Sequence, residues 1–172
     1  MVARDAVARL EDALETNQYD ILRYFERRMA TEDAADALGD LMLTAWRRVD
    51  TLPVDVEQAR MWLFGIARLV QSNSARGDQR RHRLTDRLRT ALVAAGQHTA
   101  AADHGLEVRD AISRLEPDQG ELIRLVHWEG FAIADAAAIL DIPASTARSR
   151  YQRARSDLAE AFSSHDTARS HL

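Results

Sequence analysis

The chain has 172 residues, 46% apolar and 29% charged, with a net charge of −4 and no cysteine. That length and composition suit one globular domain or two small ones, and the missing cysteine excludes disulfides, thiol catalysis and thiolate metal sites. Only seven Gly and three Pro occur, against much Ala, Leu and Arg, which predicts an all-α chain.

Residues 3–29 carry Val7, Leu10, Leu14, Ile21, Leu22 and Phe25 at helical spacing, with Thr16-Asn17 as an expected break. Thr31-Glu32-Asp33 reads as a helix start, the acids lying at its positive end. Leu38, Leu41, Met42, Ala45 and Val49 mark the expected buried face, while Asp36, Asp40, Leu43 and Arg47 form a second, exposed stripe. Asp50–Asp55 is a loop. A helix then runs from Gln58 to about Ser74, with Trp46 and Trp62 expected as core anchors because large aromatics bury much area.

Gln71-Ser72-Asn73-Ser74 leads into Arg76, Arg80, Arg81, Arg83, Arg87 and Arg89. Residues 60–90 hold eight Arg against two acids, and residues 143–172 five against three, whereas the segments 1–59 and 91–142 are each at −6. Two basic segments in acidic surroundings suggest two contacts with a polyanion and acidic faces for protein partners.

Residues 90–104, Ala-rich with Gly96 and Gln97, read as a flexible linker between two small helical domains, 1–89 and 105–162. Leu106, Ile112 and Leu115 precede Pro117, which fits the first turn of the next helix; Gly130 ends that helix. Ile133, Ala136, Ala137 and Leu140 then form a helical stripe, Asp141-Ile142-Pro143 a turn, and Ala147, Tyr151, Ala154, Leu158 and Ala161 a second stripe. On this last helix the apolar positions fall within about 40° of one line, and Ser145, Arg148, Ser149, Gln152 and Arg153 fall roughly 100° to 240° away. A helix with that donor-rich face can enter a major groove N-terminus first, Arg and Gln reaching base edges and Ser reaching phosphate. Residues 163–172 read as a frayed tail.

The six histidines show no metal-ligand spacing, and the chain has neither a Gly-rich phosphate loop nor a GxSxG elbow. No catalytic residue, metal site or cofactor is expected, so the chain reads as a non-enzyme. No apolar run approaches 18 residues and the N-terminus is acidic and amphipathic, so no membrane insertion and a cytoplasmic location are expected.

With these residues in place, the chain resembles a bacterial extracytoplasmic-function sigma factor of the sigma-70 family. The resemblance rests on Leu115-x-Pro117-x-Gln119, Gly130-Phe131, Ala134–Ala137 and Thr146-Ala147-Arg148-Ser149-Arg150-x-x-Arg153-Ala154-Arg155 in the C-terminal half. Asp36-x-x-x-Asp40 to Ala45-Trp46-Arg47 and Trp62-Leu63-x-x-Ile66-Ala67-Arg68 carry it in the N-terminal half, where Gly39-Asp40 replaces the family's usual Gln-Glu pair. It implies a region 2-like helical bundle and a region 4-like helix-turn-helix, a promoter-specificity subunit for RNA polymerase core. Asp36, Asp40, Leu43 and Arg47 would dock on the clamp coiled coil of the largest polymerase subunit. The loop 50–57 would hold a flipped base of the −10 element, with Asn73, Ser74, Arg76, Arg80 and Arg81 along the opened strand. Ser145, Thr146, Arg148, Ser149, Arg150, Gln152 and Arg153 would read the −35 element of promoter DNA. An anti-sigma factor is a further implied partner. The residues alone also allow a stand-alone helix-turn-helix regulator, or a sigma mimic that titrates an anti-sigma factor; the region 2-like motifs argue against the first and the arginine run against the second.

Overall fold

The computed structural model describes the backbone of residues 2–89 and 104–169 and the side chains of residues 5–74 and 108–163. Seven α-helices follow in order: α1 (Val2–Glu26), α2 (Thr31–Arg47), α3 (Val56–Arg89), α4 (His104–Ser113), α5 (Pro117–His127), α6 (Ile133–Leu140) and α7 (Ala144–Arg169), with one 3-10 turn at Val49–Thr51. No strand occurs among the described residues. The chain divides into two compact units, residues 1–96 and 97–172.

The first unit packs α1, α2 and α3 against one another. Its core is aromatic: the Tyr24 ring meets Phe25 at 5.5 Å and Phe64 at 5.6 Å, both edge-on, an arrangement the ring quadrupoles favour. The small buried face of α2, Ala34, Ala37, Leu41 and Ala45, makes room for these rings. Leu38, Met42 and Val49 are only half-buried, so the buried line is turned toward the alanines from the expected one.

Trp46 does not anchor the core. It lies one position past Ala45, a 100° step off the buried line, and is 54% exposed. Trp62 is half-buried, and Tyr24 and Phe64 fill the core instead. Nor does α1 break at Thr16-Asn17. Asn17 is buried within a continuous helix, and its Nδ2 donates to the Ala13 carbonyl at 2.8 Å, satisfying the amide inside the helix's own surface. At the end of α1, the Arg28 guanidinium lies 3.6 Å from the Tyr24 ring centre, and its Nη1 donates to the Tyr24 carbonyl at 2.9 Å. That satisfies one of the helix's last carbonyls and covers the core ring.

The second unit assembles α5, α6 and α7 with α4 alongside. Ile112, Ile123 and Ala154 form one buried cluster, with Leu115, Trp128, Tyr151 and Leu158 packed on it. Pro117 sits in the first turn of α5, where its missing N–H costs nothing. Gly130, at φ 74°, reverses the chain after α5 and lets the Phe131 N–H return to the Leu125 carbonyl at 3.0 Å. The expected tail is helical: α7 continues to Arg169. Residues 90–103, most of the expected linker, lie outside the described residues.

Gly120 marks a close approach between α4 and α5. A Cβ there would stand 3.2 Å from the Ile112 carbonyl oxygen, a backbone atom that cannot swing aside. Gly120→Ala is therefore expected to destabilise the second unit by about 1 kcal/mol despite alanine's better helix propensity. Gly39→Ala, whose new Cβ meets nothing within 4 Å, is expected to stabilise α2 by about 0.5–1 kcal/mol. Thermal melts of the two variants, shifting in opposite directions, check the pair.

Candidate nucleic-acid interface

The turn between α6 and α7 is built on Asp141, which adopts a left-handed conformation at φ 56° and ψ 46°. Its N–H donates to the Ala138 carbonyl at 3.1 Å, and the Ile142 N–H to the Ala137 carbonyl at 3.0 Å. This is the paired closure of a Schellman motif, with Asp in the place glycine usually takes. Pro143 precedes the first residue of α7, and its carbonyl accepts the Ala147 N–H at 3.0 Å. A rigid left-handed cap followed by a proline fixes where α7 starts, and so where its first exposed side chains stand.

Along α7, Ala147 and Ala154 are fully buried, while Ser145, Arg148, Ser149, Gln152 and Arg153 are exposed together on the other side. The first turn contains no acid, so the positive end of the helix dipole faces solvent uncompensated. Thr146 is half-buried, and its carbonyl accepts the Ser149 hydroxyl at 3.0 Å. Arg150 lies at the edge of this face, its Nη1 bonded to Asp118 Oδ2 at 2.6 Å. The neighbouring Tyr151 hydroxyl meets His127 Nε2 at 2.9 Å. From adjacent positions on α7, the two side chains thus reach opposite ends of α5, which fixes the rotation of α7 about its own axis. Arg155, not singled out for the site from sequence, is exposed about 20° from Arg148. Its seven-residue spacing from Arg148 was the signal available.

In the first unit, the stripe Asp36, Asp40, Leu43 and Arg47 is exposed as expected from its spacing, with Leu43 at 56%. These residues form one wall of an open groove of about 500 Å³, whose other wall, on α3, includes Val70, Asn73 and Ser74. The two sets of residues that the sequence assigned to separate tasks therefore share one groove. Arg76, Arg80 and Arg81 belong to the same continuous helix, but their side chains lie outside the described residues.

The loop between α2 and α3 is pinned at both ends. Leu52 is buried; the Thr51 hydroxyl donates to the Arg48 carbonyl at 2.8 Å; and Asp55 Oδ1 accepts the Gln58 N–H at 2.9 Å. The last bond is an N-cap for α3. Between these anchors Val54 stands exposed, with Val56 following. An apolar cleft of about 260 Å³ lies beside it, between Pro53 and Val54 on the loop side and Ala13 and Thr16 of α1.

No group of His, Asp and Glu suited to a metal ion occurs among the described residues, and no described helix is long and apolar enough to cross a membrane.

Residues 105–158 match the family described as Sigma-70, region 4. The chain is 31% identical over 150 residues to the probable RNA polymerase sigma-C factor of Mycobacterium bovis, covering 87% of this chain and 80% of that one. It is 33% identical over 150 residues to the ECF RNA polymerase sigma factor EcfG of Rhodopseudomonas palustris, covering 79% of each. Among solved structures, the sigma factor RpoE of Bartonella quintana, in complex with the anti-sigma factor NepR, superposes with a TM-score of 0.63 at 24% identity, over 89% of this chain and 96% of that one. CnrH, in complex with the cytosolic domain of CnrY, gives 0.64 at 18% identity over 94% of each chain.

Proposed function

The chain belongs to the extracytoplasmic-function sigma factors of RNA polymerase, and we propose that it grips promoter DNA through α7 and polymerase core through α2. It is a sigma subunit, directing transcription initiation as part of the polymerase holoenzyme. The observation that carries the assignment of its DNA-reading residues is the face of α7, where Ser145, Arg148, Ser149, Gln152 and Arg153 are all exposed opposite buried Ala147 and Ala154. In this reading residues 105–162 are the −35-binding domain. Arg148, Gln152 and Arg153 meet base edges in the major groove, and Ser145, Thr146 and Ser149 meet phosphate.

Residues 1–89 then form the domain that binds core and the −10 element. Asp36, Asp40, Leu43 and Arg47 dock on the clamp coiled coil, an apolar residue flanked by charges in the manner of an interface centre and its rim. Asn73 and Ser74, across the groove, face the opened strand, Arg76, Arg80 and Arg81 hold its backbone, and the loop 50–57 takes a flipped base. The work is cytoplasmic and not itself catalytic. RpoE was solved with the anti-sigma factor NepR bound, and CnrH with the cytosolic domain of CnrY, which supports an anti-sigma protein as a further partner of this chain.

In vitro transcription with purified core polymerase and a randomised promoter library tests the assignment of the two interfaces. Initiation is expected at promoters with a shared −35 and −10 pair. Binding of duplex DNA by the chain alone, with no initiation on any template, would overturn it.

A further inference from the structure

Among the described residues, Arg150 of α7 pairs with an acid that lies 32 residues earlier in the chain. Its Nη1 lies 2.6 Å from Asp118 Oδ2, and the side chains remain 36% and 58% accessible. Asp118 stands in the first turn of α5 directly after Pro117, at the positive end of the helix dipole. The acid lies beside the recognition helix, paired with Arg150. On α7, Arg150 sits about 60° from Arg153, close enough to the DNA-facing side for its long side chain to swing there. It is also held at the pair by its neighbour, since Tyr151 is tied to His127.

We propose that Asp118 is a restraining residue that sets the level of sequence-independent binding: it withholds Arg150 from the DNA backbone while Arg148, Gln152 and Arg153 read bases. The proposal rests on α7 being the DNA-reading helix. A contact from Arg150 to phosphate would strengthen binding to every sequence equally and add nothing to discrimination. An exposed ion pair biases such an arginine by no more than about fivefold, so the restraint tunes the balance and does not lock it. Asp118 serves here as a positioning residue for Arg150, and Arg150 is not a base reader.

The test compares holoenzymes made with the full-length chain carrying Asp118→Ala, Arg150→Gln, or both. The probes are a 30-base-pair duplex of scrambled sequence and the tightest duplex recovered from a randomised −35 library. Asp118→Ala is expected to raise affinity for the scrambled duplex roughly two- to fivefold and to steepen its salt dependence by about one unit of the log–log slope. Affinity for the selected duplex should rise by no more than that, so its advantage over scrambled DNA does not grow.

Both changes are expected to vanish in the double variant, because loss of a repelling carboxylate alone would persist without Arg150. An effect of the same size in the Arg150→Gln background would overturn the proposal, as would an unchanged salt slope. A uniform loss of affinity accompanied by a lowered melting temperature would also overturn it, by showing that the pair only supports the fold. If wild-type holoenzyme has no preferred −35 duplex at all, it is the reading of α7 that fails, and not the role of Asp118.

Discussion

Replacing Asp40 by arginine is expected to weaken binding to polymerase core by at least about thirtyfold, while leaving the protein folded. Asp40 is exposed on α2, about 60° around the helix from buried Ala37 and 100° from Leu41, and exposed substitutions of this kind change stability by no more than about 0.5 kcal/mol. At an interface the same side chain becomes buried against its partner. Removing one member of a buried hydrogen-bonded charge pair costs about 2–5 kcal/mol, and reversing the sign adds repulsion. Leu43, one turn further and 56% exposed, supplies the apolar anchor that such a patch needs, so Leu43→Ala is expected to weaken assembly in the same direction. Fluorescence anisotropy of labelled protein titrated with core, beside a thermal melt, separates binding from folding. An Asp40→Arg variant that assembles normally would remove α2 from the interface.

The second large effect falls on α7. Arg148→Ala and Arg153→Ala are each expected to lose about 1–3 kcal/mol of discrimination at one position of the −35 element, the range for a bidentate arginine on guanine. Both are exposed, and neither lies on the buried Ala147–Ala154 line, so the loss would come from the contact and not from unfolding. Competition binding of single-base variants of a preferred duplex measures it. If affinity falls alike for every base at every position, those arginines touch only phosphate, and sequence reading must lie with Gln152 and the serines.

Much of this architecture was legible because helices advertise one face at a time. The α7 stripe of Ala147, Tyr151, Ala154 and Leu158 faced the core as its period required, and Pro117 and Gly130 punctuated α5 where proline and glycine chemistry put them. What a period cannot show is which of two neighbouring apolar positions the partner helix covers. Trp46 and Ala45 differ by one step around α2, and it is the alanine that is buried, while Tyr24 and Phe64 supply the large rings of the core. Asn17 misled for a related reason. Asn usually competes with helical hydrogen bonds, but here its amide found an acceptor on its own helix, so α1 continued. The pairing of Arg150 with Asp118 was out of reach for a different cause. It depends on how α5 crosses α7, a tertiary fact that leaves no trace in either helix's own pattern.

The groove between α2 and α3 imposes an order of events. Asp33, Asp36 and Asp40 line it together with Arg47, Asn73 and Ser74, three carboxylates against one guanidinium, so a phosphate chain entering the groove of the free protein meets a net negative wall. A protein surface laid on α2 covers those carboxylates and leaves the Asn73 wall facing DNA without its repulsive neighbours. With α2 docked on polymerase core as proposed, the groove would work as a charge-gated latch. On that assignment the free protein would be poorly suited to single-stranded DNA, and docking of α2 would make it better suited.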